Sequence, residues 1–144
     1  MPGLGARPRR GEEDTPAIPT RWEPDAWRSL VPYLYGVDLY NHGYWWECHE
    51  VLEALWHAAG RKNPQARFIQ GLIHLAASNL NWHRGHDAAA RRQANRGIER
   101  VASQSGRTYM GIGVDDLVER VRASIEGDTW NPPPIRLDFE DPGS

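Results

Sequence analysis

Residues 64–83 read PQARFIQGLIHLAASNLNWH, and the fold class follows from the spacing of their apolar side chains. These side chains recur every three or four residues over a broad surface, which predicts a helix enclosed by its neighbours. They are Phe68, Ile69, Leu72, Ile73, Leu75, Ala76 and Leu80. Pro64 suits the first turn because its φ is already helical, and Gly85 marks the end. The sequence therefore predicts a central, nearly buried helix.

Apolar periodicity predicts four more helices around this one, over residues 24–39, 44–59, 87–103 and 114–126. Pro24 opens the first of them, and Pro32 can break it into two pieces. Gly60 stops the second, because glycine accepts the left-handed conformation in which helices often end. Strand signals are essentially absent. We therefore expect an all-α fold, a compact bundle of about five helices built from helix hairpins.

The length of 144 residues fits one domain, whose body we place at residues 21–128. Residues 1–20 mix glycine, proline and charged residues without apolar periodicity, which predicts a flexible arm. Residues 129–144 are rich in proline and are predicted to form an extended tail. Apolar residues alternate in this tail at Ile135, Leu137 and Phe139. We expect the tail to lie across the body or a neighbouring subunit.

Composition narrows the functional classes. The net charge of −2 lacks the positive field that nonspecific nucleic-acid binding needs, so nucleic acid is not expected as a partner. Cys48 is the only cysteine, which excludes an internal disulfide and a multi-cysteine zinc site. No apolar run approaches the roughly 20 residues that span a bilayer, and the N-terminus resembles no secretory signal. We expect a soluble, cytoplasmic protein with no membrane partner.

Charged side chains converge on the helix predicted over residues 44–59. Glu50, Glu53 and His57 share one face, and His49 stands four residues before Glu53. Imidazole nitrogen and carboxylate oxygen at this spacing can bind a zinc, manganese or iron ion, or pair a general base with an acid. The alternative is a solvated acidic face. Nearby Trp45, Trp46 and Trp56 favour partial burial, where unpaired carboxylates would be costly.

The central helix supplies a matching polar stripe, Gln70, His74 and Asn81. If the two helices pack antiparallel, Gln70 and His74 face the acidic helix and complete a pocket. We therefore predict a metal site and a catalytic set that share members. The metal ligands are His49, Glu50, Glu53 and His74, and the catalytic residues are Glu50, Glu53 and Gln70. The alternative is a buried hydrogen-bond network that only fixes helix register.

Other polar residues carry weaker signals. Cys48 falls on an apolar face and is predicted to be a core residue. Three histidines lie near predicted turns and are expected to be exposed: His42, His83 and His86. Four arginines of the helix over residues 87–103 could bind phosphate or RNA, but a solvated face is the preferred interpretation. They are Arg91, Arg92, Arg96 and Arg100.

Two segments, LYNHGYWWECHEVLEALW at 39–56 and FIQGLI at 68–73, resemble the domain of unknown function 309 family. The resemblance extends over about residues 31–101 and implies a compact helical bundle with the activity of a metal-dependent hydrolase. The matching positions are Asn41, Gly43, Glu47, His49, Glu50, Glu53, Trp56, Gln70 and Gly71. Cys48 stands where alanine is common in the family, which leaves the polar set intact.

Two functional hypotheses remain open. The first is a metal-dependent hydrolase with a His/Glu pocket between two helices, which would take a small-molecule ligand. The second is a noncatalytic, tetratricopeptide-like interaction module, because residues 40–44 and 82–86 each place a glycine between two helices. In that case the acidic stripe and the tryptophans would form a partner groove or a homo-oligomer face.

Overall fold

The computed structural model describes residues 16–127 and 129–140, and within them the predicted all-α bundle is confirmed. The five α-helices are α1 (Val31–Asn41), α2 (Trp45–Ala59), α3 (Pro64–His83), α4 (Asp87–Val101) and α5 (Val114–Glu126). Short 3-10 helices occupy Pro24–Ser29 and Ala102–Gln104. A small antiparallel hairpin, β1 (Thr108–Tyr109) and β2 (Ile112–Gly113), precedes α5. Strands of two residues are too short to give an alternating pattern, so the sequence did not predict them.

Helix α3 lies at the centre of the bundle, as predicted. It packs most extensively against α4 and α2, and most of its side chains are buried. Asn63 precedes it and its side-chain oxygen accepts a hydrogen bond from the Ala66 amide at 2.9 Å, which caps the first turn. The ring of Trp45, at the start of α2, contacts that of His83, at the end of α3. The two helices are therefore antiparallel.

Two predicted features of the helix ends are found in the structure. The break expected near Pro32 occurs at Leu30, whose φ of −83° and ψ of 85° are not helical. Pro32 then sits in the first turn of α1, where its missing amide hydrogen costs nothing. At the end of α2, Gly60 adopts a φ of +101°, the left-handed conformation expected of a helix stop.

The C-terminal tail crosses the body of the same chain over the described residues 129–140. Ile135 is buried, and its backbone is bound on both sides by Asn41, the last residue of α1. Trp130 is buried and stacks on Trp82. Phe139 packs against the ring of Trp27 but stays half exposed. The expected flexibility of the arm falls largely on residues 1–15, which lie outside the described residues and leave that prediction untested.

Candidate functional site

Polar side chains from three helices meet along the least buried stripe of α3. We call this group the polar seam: His49 and Glu53 of α2, Gln70 and His74 of α3, and Gln93, Arg96 and Arg100 of α4. Gln70 and His74 are four residues apart and therefore stand on successive turns of one helix face. Because α2 and α4 both flank α3, this face has a helix on either side.

The α4 side of the seam is fixed by two hydrogen bonds. His74 Nδ1 bonds to Gln93 Oε1 at 2.6 Å, and Arg100 Nε donates to Gln70 Oε1 at 2.8 Å. Gln70 was predicted to face the acidic helix α2, and this expectation is wrong for its side-chain oxygen, which binds α4. The sequence reasoning missed Gln93 and Arg100. Their seven-residue spacing on α4, which places them on the face toward Gln70 and His74, was the signal that could have found them.

The preferred interpretation of the α4 arginines as a solvated face is wrong for Arg100 but not for Arg91, which is exposed. Arg100 is half-buried, with 23% of its side chain exposed, and its guanidinium bonds to Gln70 of α3. Arg91 donates a hydrogen bond to the carbonyl oxygen of Ile125, at the end of α5. Arg92 and Arg96 are exposed, as predicted. Helix α4 is therefore tied by arginine side chains to both of its neighbours.

The α2 side of the seam is more open. His49 Nε2 lies 4.0 Å from Glu53 Oε2, so the predicted pairing of these residues is confirmed. The ring of Trp46 stacks on the His49 ring, with 5.7 Å between centroids and 2° between planes. His49 in turn acts electrostatically on His74 across the helix boundary. The prediction that the two imidazoles belong to one site is not tested by a direct contact between them.

One ring nitrogen of each seam histidine has no hydrogen-bond partner among the described residues. Gln93 Oε1 can only accept a hydrogen bond, so His74 Nδ1 carries the hydrogen and Nε2 presents a lone pair. That Nε2 is buried and has no hydrogen-bond partner among the described residues, and the same holds for His49 Nδ1. Burial lowers the pKa of His74, and the positive charges of Arg100 and Arg96 lower it further. The hydrogen bond to Gln93 acts in the opposite direction, but the net lowering of the pKa favours neutral His74, the form in which imidazole binds metals.

The four predicted metal ligands do not gather in one cluster. Glu50 and Glu53 are both exposed, and Glu50 lies 100° around α2 from His49. Over the part of the chain that the structure describes, no three histidine, cysteine or acidic side chains are grouped so that they could hold a metal ion. Of the four predicted ligands, only His49 and His74 have a buried ring nitrogen without a hydrogen-bond partner among the described residues. Metal binding stays a prediction.

The remaining sequence predictions for single residues agree with the structure. Cys48 is fully buried in the core, and burial raises the pKa of its thiol, so it is not an activated nucleophile. The three histidines expected at turns are exposed: His42, His83 and His86. His57, expected with the acidic face of α2, is exposed as well.

Part of the chain matches a known protein family. Residues 33–93 match the model of the family described as Domain of unknown function (DUF309). This segment is similar to the DUF309 family. A search of curated proteins finds no match for the chain. Among the described residues, none of the helices combines the length and the apolar character needed to cross a membrane.

The DUF309 segment contains most of the seam but not all of it. It runs from α1 into α4 and includes the two seam histidines together with Glu53, Gln70 and Gln93. Arg96 and Arg100 lie beyond its end. Those two arginines are therefore contributed by this chain outside the matched segment.

Two residues of the DUF309 sequence pattern have structural roles. Asn41 holds the tail, as its paired hydrogen bonds with Ile135 show. Gly71 lets α4 approach α3, because a Cβ atom there would lie 2.9 Å from the backbone nitrogen of Val101. In contrast, His49, Glu53 and Gln70 point into the seam. The pattern therefore combines residues that build the bundle with residues that line its polar face.

Proposed function

We propose that the polar seam binds a divalent transition-metal ion through His49 and His74 and that the protein is a metal-dependent hydrolase. The proposal depends on one observation: two buried imidazole nitrogens from neighbouring helices have no hydrogen-bond partner among the described residues. A buried polar atom without a partner is costly, so a ligand that satisfies both atoms is favoured. Neutral imidazole is a common ligand of zinc, iron and nickel.

The other nitrogens of the two rings support this assignment. A metal-binding histidine commonly donates its second N–H to a carboxylate or carbonyl oxygen, which fixes the tautomer and the ring orientation. His74 has Gln93 Oε1 in this position, and His49 has the Glu53 carboxylate nearby. Two protein ligands leave coordination positions for solvent and substrate, where a bound divalent ion supplies Lewis-acid activation of water.

Titration calorimetry of untagged protein with zinc and manganese chlorides tests the binding step. We expect a dissociation constant well below about 1 mM, and a loss of about 10-fold or more in affinity for His49→Gln and for His74→Gln. Glu53→Gln should weaken binding by about 10-fold, because the orienting carboxylate is removed. His57→Gln is the matched control, since His57 is exposed on the same helix and should leave the affinity unchanged.

The outcomes separate clearly. Absence of binding tighter than about 1 mM would remove the metal proposal. Equal affinity in wild-type protein and both seam variants would place the ion elsewhere and would overturn the site. The hydrolytic step is tested with p-nitrophenyl acetate and p-nitrophenyl phosphate. We expect turnover that requires the added ion and disappears in His74→Gln, whereas turnover equal in the variant would contradict it.

A second candidate function is the noncatalytic interaction module. It is favoured by the exposed N-terminal turn of α2, where 42% of the Trp46 side chain is accessible beside the exposed Glu50. Exposed tryptophans are frequent anchors at protein interfaces. A defined partner, or self-association measured by light scattering, that is lost in Trp46→Ala and in Glu53→Ala without any bound metal would favour this function over the first.

A further inference from the structure

We propose that Arg96 and Arg100 bind the phosphate group of a small phosphorylated ligand at the polar seam. The inference rests on the proposed function in that it takes the seam as the ligand site. It assigns a substrate class to that site and uses residues that lie outside the DUF309 segment.

Arg100 is held in place beside α3. Its Nε donates to Gln70 Oε1 at 2.8 Å, and its Nη1 reaches the carbonyl oxygen of Arg96 at 3.5 Å. Nη2 has no hydrogen-bond partner among the described residues. A guanidinium fixed in this way loses little side-chain entropy when it binds an oxyanion. Arg100 is therefore oriented in advance, one turn of α3 from His74.

Arg96 adds a second positive charge, and its side chain is exposed. It stands four residues before Arg100 on α4, so the two side chains share a face. The bond from Arg100 to Gln70 places this face of α4 at the seam. Arg96 forms no ion pair with the described residues, and its exposed guanidinium is available to a ligand.

The nearby acidic side chains do not cancel this charge. Glu99 lies 3.8 Å from Arg100 Nη1, but it is also 3.4 Å from Arg67 of α3, and most of its side chain is exposed. Glu53 lies on the α2 side, next to His49. The seam is thus acidic along α2 and basic along α4, and an anion is favoured at the α4 side.

A phosphate group fits this arrangement better than a carboxylate. Guanidinium groups bind oxyanions through pairs of charge-assisted hydrogen bonds, and phosphate offers three terminal oxygens and nearly two negative charges. Two arginines in tandem supply more donors than one carboxylate accepts.

Titration calorimetry with inorganic phosphate on the metal-free full chain at low salt tests the inference. We expect saturable binding near or below about 1 mM. Arg96→Gln and Arg100→Gln should each weaken it by about 10-fold, the effect of losing a charge-assisted hydrogen bond. Arg122→Gln, on the exposed side of α5, makes the same change in net charge and should leave the affinity within about 2-fold. Acetate should bind more weakly than phosphate.

Arg100→Gln also removes the bond to Gln70, so Arg96→Gln, which keeps that bond, is the decisive variant. Unchanged phosphate affinity in Arg96→Gln, or no saturable binding, would overturn the inference. Acetate binding as tight as phosphate would overturn the phosphate class. A single-stranded RNA oligonucleotide could bind more tightly than phosphate and lose as much affinity in Arg122→Gln as in the seam variants. That result would show nonspecific RNA binding in place of a small ligand. Because no metal is present, this result is independent of the zinc titration, and either proposal can fail alone.

Discussion

Gly111 illustrates how a single residue limits the packing of the core. It lies in the turn between β1 and β2 with a φ of +82° and faces the fully buried ring of Trp27. A Cβ atom at this position would lie 2.5 Å from the Trp27 ring. Gly106 has a similar φ of +84°, but a Cβ atom there would meet nothing within 4 Å. A substitution at Gly106 therefore tests the cost of the backbone conformation alone, and one at Gly111 tests that cost together with a steric clash.

We predict that Gly111→Ala destabilises the protein much more than Gly106→Ala. The left-handed conformation costs a non-glycine residue about 1 kcal/mol, which both variants incur. Overpacking against Trp27 adds about 2 kcal/mol in Gly111→Ala. Urea denaturation of both variants measures the difference, and equal losses in the free energy of unfolding would show that the ring moves aside freely.

The crossing of α3 and α4 is the element on which the seam depends. Gly71 and Gly97 face each other there, and a Cβ atom on Gly71 would lie 2.9 Å from Val101 N and 3.0 Å from Gly97 O. These are backbone atoms, which cannot rotate away. The close approach brings Gln93 and Arg100 within hydrogen-bond distance of α3.

Gly71→Ala should therefore destabilise the bundle, although alanine is favoured over glycine in a helix interior by about 1 kcal/mol. We expect a net loss of about 2 kcal/mol, since overpacking exceeds the gain in helix propensity. Gly36 of α1 is the control, because its added Cβ would meet side-chain atoms rather than backbone: Leu52 at 2.8 and 3.2 Å and Val51 at 3.7 Å. Gly36→Ala should change the free energy of unfolding by less than about 1 kcal/mol. A larger loss in Gly36→Ala than in Gly71→Ala would contradict this account.

On the scale of the whole molecule, the tail closes the bundle across distant parts of the chain. Asn41 Nδ2 donates to the Ile135 carbonyl oxygen, and the Ile135 amide donates to Asn41 Oδ1, each at 2.8 Å. Asn79 of α3 donates to the Tyr40 hydroxyl and accepts from the Trp130 indole. Side-chain amides of α1 and α3 thereby bind residues about 50 to 90 positions later.

Asn41→Ala should loosen the tail without unfolding the helices. Both hydrogen bonds are lost and the backbone of Ile135 is left unpaired in a part-buried position, which costs about 2 kcal/mol. Hydrogen exchange should show a loss of protection at the Ile135 amide. Asn95→Ala, on the exposed side of α4, should leave that protection intact. Unchanged protection in Asn41→Ala would show that apolar burial alone holds the tail.

Local patterns in the sequence determined the helices and the contacts within one helix, such as that between His49 and Glu53 of α2. The bounds of α5, the stop at Gly60, the burial of Cys48 and the pairing of His49 with Glu53 all follow from spacings of a few residues, which a helix converts directly into faces. Only the tertiary structure decided which helix each polar face meets. Gln70 bonds to Arg100 rather than to α2, and Asn41 holds the tail, because the close crossing at Gly71 and the path of the tail join residues 30 to 94 positions apart. Contacts at such separations depend on how whole helices pack, and no periodicity within one helix specifies them.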